Sequence, residues 1–179
     1  MENIKIKKYH IYSFICVSIV GTLFHFLYEF SGNNLIIASF APVNESTWEH
    51  LKLIFFPMFV SSIIGYFIIG KENSNYICSR TKGILVGMAF IIVFFYTYTG
   101  IIGKNIDFLN IISFFMAVFL GEFVSFKSIV SKEKKCNITL AVYILAFFLI
   151  CFVVFTYITP KFGIFKDPLT GTYGVFENR

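Results

Sequence analysis

Charge is what this chain has least of. Asp, Glu, Lys and Arg make up only 14% of its 179 residues, while 57% are hydrophobic. Soluble domains carry about 25% charged residues, so an ordinary water-soluble fold is excluded. No long linker, low-complexity tract or internal repeat is present, which argues for a single domain spanning residues 1–179. The four cysteines do not make a disulfide framework. Cys16 and Cys151 lie inside apolar runs, and Cys78 and Cys136 in basic loops. Basic loops usually face the reducing cytoplasm, so all four are expected to be free thiols. No HExxH pattern occurs. The net charge of +5 does not point to nucleic acid, because the basic residues flank apolar segments instead of forming one stripe.

What is present in abundance is apolar sequence, rich in Phe and Tyr. A hydrocarbon core about 30 Å thick needs about 20 helical residues. Five segments meet that length, at 9–31, 46–70, 81–103, 108–130 and 138–159. The first follows a basic head of Lys5, Lys7 and Lys8, but it is too long for a secretory signal and no small-x-small site follows it. The fold class is therefore all-α, a polytopic membrane bundle of about five helices. With the N-terminus inside, one face collects Lys5, Lys7, Lys8, Lys71, Arg80, Lys82, Lys127, Lys132, Lys134 and Lys135. The other keeps Lys104, Lys161, Lys166 and Arg179, with Lys52 left inside the second span. Because basic bias sets topology, the expected orientation is N-terminus inside and C-terminus outside. The surplus of Phe, Ile, Lys, Asn and Tyr points to an AT-rich bacterial genome and so to the bacterial cytoplasmic membrane.

Within the spans, Gly83 and Gly87 have the small-xxx-small spacing that lets helices approach closely. Pro57 is expected to bend the second span and free a carbonyl four residues earlier. The tail at 160–179 mixes turn residues with Phe162, Phe165, Tyr173 and Phe176, and is expected to fold back on the bundle or lie at the interface.

Ionisable groups inside a membrane are costly and mark a function or a satisfied polar network. Ser18, Thr22, His25 and Glu29 stack on one face of the first helix. The second helix presents Glu45, Glu49 and Lys52 on one face, with His50 on its flank. His25, His50 and Lys52 reach similar depths. Some of these have a simple structural reading: Ser46-Thr47-Trp48-Glu49 matches a capping box, Asn44 suits a cap one turn earlier, and Trp48 suits an interfacial anchor. Lys52 pairs with a glutamate or snorkels to the surface. Glu122, deep in the fourth helix, suits a neutral acid or a pairing with a basic residue. Asp107 and Asn110 open the fourth helix where they can join the rim of the cluster, though Asp107 also fits an N-cap.

The strings "HFLYEFSG" (25–32), "PVNESTWEHLKLIFFP" (42–57), "YTYTGIIGKN" (96–105) and "DPLTGTYG" (167–174) resemble those of the domain-of-unknown-function family 6512, small bacterial multi-pass membrane proteins. The resemblance spans nearly the whole chain and implies a five-helix membrane protein, with no activity attached.

Three functions compete. In the first, His25, Glu29 and His50 ligate a divalent metal such as zinc, Glu45 or Glu49 acts as base, and Lys52 stabilises negative charge. A polar lipid headgroup is the alternative ligand for the same cluster. In the second, the cluster is a salt-bridged lock in a structural or accessory subunit with a membrane-protein partner. In the third, the same groups carry protons or cations through a homo-oligomer, although no inverted repeat or broken-helix pair supports transport.

Overall fold

The computed structural model describes residues 2–131 and 136–177. Lys132, Lys134, Lys135 and Arg179, counted above in the charge bias, lie outside the described residues. The helices are α1 (Glu2–Phe30), α2 (Leu35–Ala38), α3 (Thr47–Ile68), α4 (Tyr76–Ile102), α5 (Asp107–Val130) and α6 (Ile138–Tyr157). Five of them, all but the single turn α2, are long and apolar enough to cross a membrane. No strand occurs among the described residues. The starts of α1, α4 and α6 share one end of the bundle, the basic end. The loop at 31–46, the turn at 103–106 and the C-terminal tail share the other, the tail end. Two helices begin earlier than hydropathy places them, α1 at Glu2 and α4 at Tyr76. Lys and Arg are good helix formers and extend a helix past the hydrocarbon edge.

Helix α3 sits in the middle. Thirteen of its 22 residues are buried, whereas α6 buries only Ala141, Cys151, Phe152 and Thr156. Leu51, Ile54, Phe55 and Met58 of α3 form one core with Ile84 and Met88 of α4 and Ala117 and Val118 of α5. The outward surface is apolar, with Leu23, Phe67, Ile101 and Phe147 all exposed, as lipid contact requires.

Small residues determine how closely the helices pack. A Cβ added at Gly83 would lie 2.4 Å from the Gly121 carbonyl oxygen, and one at Gly87 would lie 3.0 Å from that of Ala117. The Gly83/Gly87 pair therefore faces a second small pair, Ala117/Gly121, and α5 is the neighbour it admits. Between α1 and α3, Pro57 has no N–H for the Leu53 carbonyl. Gly21 packs against that oxygen, where a Cβ would lie 2.6 Å away, so a glycine C–H meets the freed acceptor.

Three expectations are corrected here. Cys78 and Cys136 form a disulfide, and only Cys16 and Cys151 remain thiols. The bond ties the first turn of α4 to the residues just ahead of α6 and links positions 58 apart in sequence. Only the return of the chain to the same end of the bundle brings them together. Trp48 is buried rather than an interfacial anchor: its ring lies 4.8 Å from that of Phe152 and 4.9 Å from that of Phe165. The tail folds back over it, held by the Val175 N–H donating to the Thr156 carbonyl at 3.1 Å. Asp107 is the first residue of α5 rather than its N-cap, which is Ile106.

Gly83→Leu is expected to lower stability by about 1–3 kcal/mol through overpacking against the Gly121 backbone. Gly100→Ala meets nothing within 4 Å and is expected to change little, both read as melting temperature in detergent. Denatured, unreduced protein is expected to take two maleimide adducts by intact mass, at Cys16 and Cys151, and four after reduction.

Candidate functional site

The tail-end loop is held by side chains capping backbone. The Asn34 side chain accepts from the Ile36 N–H and starts α2. Asn44 accepts from the Ser46 N–H at 3.0 Å in an Asx turn, and Ser46 Oγ caps α3 by accepting from the Glu49 N–H. The second half of the capping box does not form. Glu49 reaches instead to the Val43 N–H, at 3.1 Å, and to Lys52, at 2.7 Å. Lys52 is fully buried, and its three donors are matched by the Ala38 carbonyl at 2.8 Å, Glu49 Oε2 and Thr156 Oγ1 at 2.6 Å. A buried ammonium saturated in this way joins the loop, α3 and α6 into one unit. Glu49 and Lys52 are thereby turned into the core and away from any cleft.

The other ionisable groups converge separately. His25 Nε2 lies 3.7 Å from Glu45 Oε1, and His50 Nε2 lies 3.3 Å from Glu45 Oε2. One donor atom from each of His25, Glu45 and His50 falls within 4.8 Å of the others. The imidazole rings stand 5.4 Å apart. His50 Nδ1 donates to the Ser46 carbonyl at 3.1 Å, and this carbonyl can only accept, so Nε2 is the nitrogen left with a lone pair. All three side chains are partly exposed. Glu29 is exposed and sits one turn beyond His25. It lines a cleft of about 530 Å³ with His25, Asn33, Asn44 and Glu45. On the other flank, Glu45, Thr47 and His50 share a small cavity of about 40 Å³ with Asn105, Asn110 and Ser113. That is room for a water or two among polar partners.

The tail contributes a residue that sequence reading assigned only to a turn. Asp167 is buried and accepts from the Leu169 and Thr170 N–H groups, and its Oδ2 accepts from the Glu45 N–H at 3.3 Å. It thus fixes the backbone of the central carboxylate. Further along the tail, Lys161 and Glu177 pair at 2.8 Å in the open. Their hydrogen bond holds Glu177 below the usual carboxylate range and Lys161 above its own. That contact is complete above the ordinary carboxylate pKa and is lost as pH falls through the lowered one. Asn105, Thr47 and Ser113 were not singled out by sequence. Tyr98, which contacts Asn105 at 2.8 Å and Asn110 at 2.5 Å, was the available clue.

A second polar cluster lies toward the basic end. Arg80 is fully buried and not the flanking residue that the charge count supposed. Its guanidinium donates to Glu122 at 2.6 and 3.0 Å, so Glu122 is one half of an ion pair and not a neutral acid. Ser13 donates to Glu122 at 2.7 Å, and His10 Nδ1 lies 2.6 Å from it.

A model of a family of unknown function, DUF6512, matches residues 1–175. The chain belongs to that family. No curated protein and no solved structure matches it. Family membership covers both polar clusters and all five spans, and it assigns a role to neither cluster.

Lys52→Met leaves Glu49 charged and buried, and is expected to cost about 3–5 kcal/mol. The double variant Lys52→Met/Glu49→Gln is expected to recover most of that loss, read by chemical unfolding in detergent.

Proposed function

We propose that this membrane protein binds a divalent transition metal, zinc being the best match, through His25, Glu45 and His50 at the tail end of its bundle. The observation that carries this is the convergence of three donor atoms within 4.8 Å, one from α1, one from the loop ahead of α3 and one from the start of α3. Two imidazoles and a carboxylate match zinc by type and number and leave one position open. The ligands are held from behind, His50 by the Ser46 carbonyl and Glu45 by Asp167. Metal ligands characteristically have such supports. Glu45 therefore takes the ligand place that the helix stripe gave to Glu29. Glu29, in the adjoining cleft, is the carboxylate placed to accept a proton there. Glu49 and Lys52 serve as scaffold. A zinc ion at this position would supply Lewis acidity for hydrolysis of a polar group entering the cleft.

Basic bias supports a bacterial cytoplasmic-membrane setting with the basic end inside and the site facing out. In that orientation the Cys78–Cys136 bond closes only when cytoplasmic reductants do not keep it open. The saturated Lys52–Glu49–Thr156 unit favours a second reading, a structural or accessory subunit for which the histidines are incidental.

Protein purified without chelators and dialysed against zinc is expected to retain about one zinc per chain by elemental analysis, the occupancy of a single site. His25→Ala and His50→Ala are each expected to reduce this to background without changing the melting temperature of the metal-free protein. Folded wild type that holds no metal overturns the proposal, and a stable co-purifying partner then supports the accessory reading.

A further inference from the structure

We propose that the Cys78–Cys136 bond is a reversible thiol–disulfide lock, which clamps the basic-end half of α6 when closed and frees it when a cytoplasmic dithiol opens it. The lock does not depend on the metal site, which lies at the opposite end of the bundle. Its cellular setting rests on the orientation proposed above.

The starting observation is how unevenly α6 is held. Its buried residues are Ala141, Cys151, Phe152 and Thr156, all but the first in its last two turns. At the tail end, Thr156 Oγ1 accepts from Lys52 at 2.6 Å and the Thr156 carbonyl accepts from the Val175 N–H. The Phe152 ring meets those of Trp48 and Phe55 at 4.8 and 4.9 Å, and Tyr157 hydrogen-bonds Ser39 at 2.7 Å. The basic-end half has nothing comparable. Leu145 and Phe148 are half-buried against the core, while Leu140, Val142, Tyr143 and Phe147 are exposed. Asn137 caps only the first turn of α6 itself, through the Leu140 N–H. Among the described residues, the one bond that joins this half to another element is Cys136 to Cys78 of α4. With that bond open, α6 is anchored at one end, as a lever is.

The sulfurs are placed for exchange. Both cysteines are half-buried at one end of the bundle, outside its apolar core. Cys78 lies in the first turn of α4, where the positive end of the helix dipole stabilises a departing thiolate. One thiolate of a dithiol attacks Cys136 Sγ, which breaks the Cys78–Cys136 bond and forms a mixed disulfide. Cys78 leaves as thiolate and takes a proton from water. The second thiolate of the dithiol then displaces Cys136. Two electrons and two protons pass to the protein, and the dithiol is oxidised to its own disulfide. With the basic end inside, the bond sits where disulfides are transient and redox-responsive. Leu145 is the share that α6 has in a groove of about 270 Å³, lined otherwise by α3 and α4 and including Ser62, Tyr76 and Arg80. Opening the lock withdraws that wall. The contacts of Phe152 and Thr156 keep the tail-end site assembled in both states.

The test measures distances in the full-length protein in detergent by double electron–electron resonance. Phe67 of α3 and Tyr143 of α6, both exposed, are replaced by p-acetylphenylalanine and coupled to nitroxides, so that all four cysteines stay native. Tyr143 lies about 20 Å along α6 from Thr156 at 1.5 Å per residue. A tilt of about 15°, ordinary for a transmembrane helix, therefore moves it about 5 Å. After oxidation with glutathione disulfide, the pair is expected to give one narrow distance. Reduction with dithiothreitol is expected to broaden it and shift it by about 5 Å, and reoxidation to restore it. Cys78→Ser with Cys136→Ser is expected to give the reduced distribution without reductant. A second labelled pair across the tail end, at Phe30 and Val154, is expected not to move. Acid-quenched alkylation is expected to find the two thiols free in unstressed cells and joined after diamide treatment. An unmoved Phe67–Tyr143 pair, equal shifts in both pairs, a shift that reoxidation does not reverse, a double serine variant that matches the oxidised protein, or a bond fully closed in unstressed cells each overturns the proposal.

Discussion

A fully buried lysine ammonium constrains the tail end of this bundle. Lys52 sits in the middle of an apolar core, where an unmatched cation is untenable, so each of its three donors needs an acceptor. Those acceptors come from the 31–46 loop, from α3 and from α6. Meeting them ties the loop to α3 and α6. That arrangement carries Glu45 to the two histidines, although the Glu45 side chain makes no bond to Lys52 or its acceptors. Asp167 completes the arrangement from the tail, so residues more than 100 positions apart in sequence determine where one carboxylate stands.

The two ends of the molecule share a design. Each has an ion pair saturated by hydrogen bonds, Lys52–Glu49 at one end and Arg80–Glu122 at the other. Each places beside it imidazole nitrogens whose protons are assigned by a neighbouring acceptor, Ser46 for His50 and Glu122 for His10. The saturated pair is the rigid part. The second imidazole nitrogen is bound by neither pair: His50 Nε2 lies 3.3 Å from Glu45 at the tail end, and His10 Nε2 is buried at the basic end.

Much of the fold was legible in the sequence because hydropathy is local and additive. A run of 20 apolar residues is long enough to cross a membrane whatever lies elsewhere in the chain, and Ser46 caps α3 through atoms three residues away. Small-residue spacing showed that α4 could be approached closely, but the identity of the approaching helix required the Ala117/Gly121 pair on α5. The cluster at the tail end was legible as a set of residues at similar depth. Its division into a buried lock and a converging trio was not. A helical wheel places Glu29 with His25, whereas Glu45 reaches His25 by belonging to a loop, which has no periodicity to read.

The sequence by itself determined that five helices are long and apolar enough to cross a membrane, roughly where they begin and end, and which residues are too polar to be there without partners. These are properties of short stretches of chain, set by solvation and by neighbours within one or two helical turns. Only the tertiary structure decided the partners: Arg80 with Glu122, Cys78 with Cys136, Lys52 with Thr156, Trp48 beneath the tail, and Glu45 rather than Glu29 between the histidines. The physical reason is that a buried charge is indifferent to sequence distance. It is matched by whatever donor or acceptor the packing of small residues and aromatic rings brings within about 3 Å.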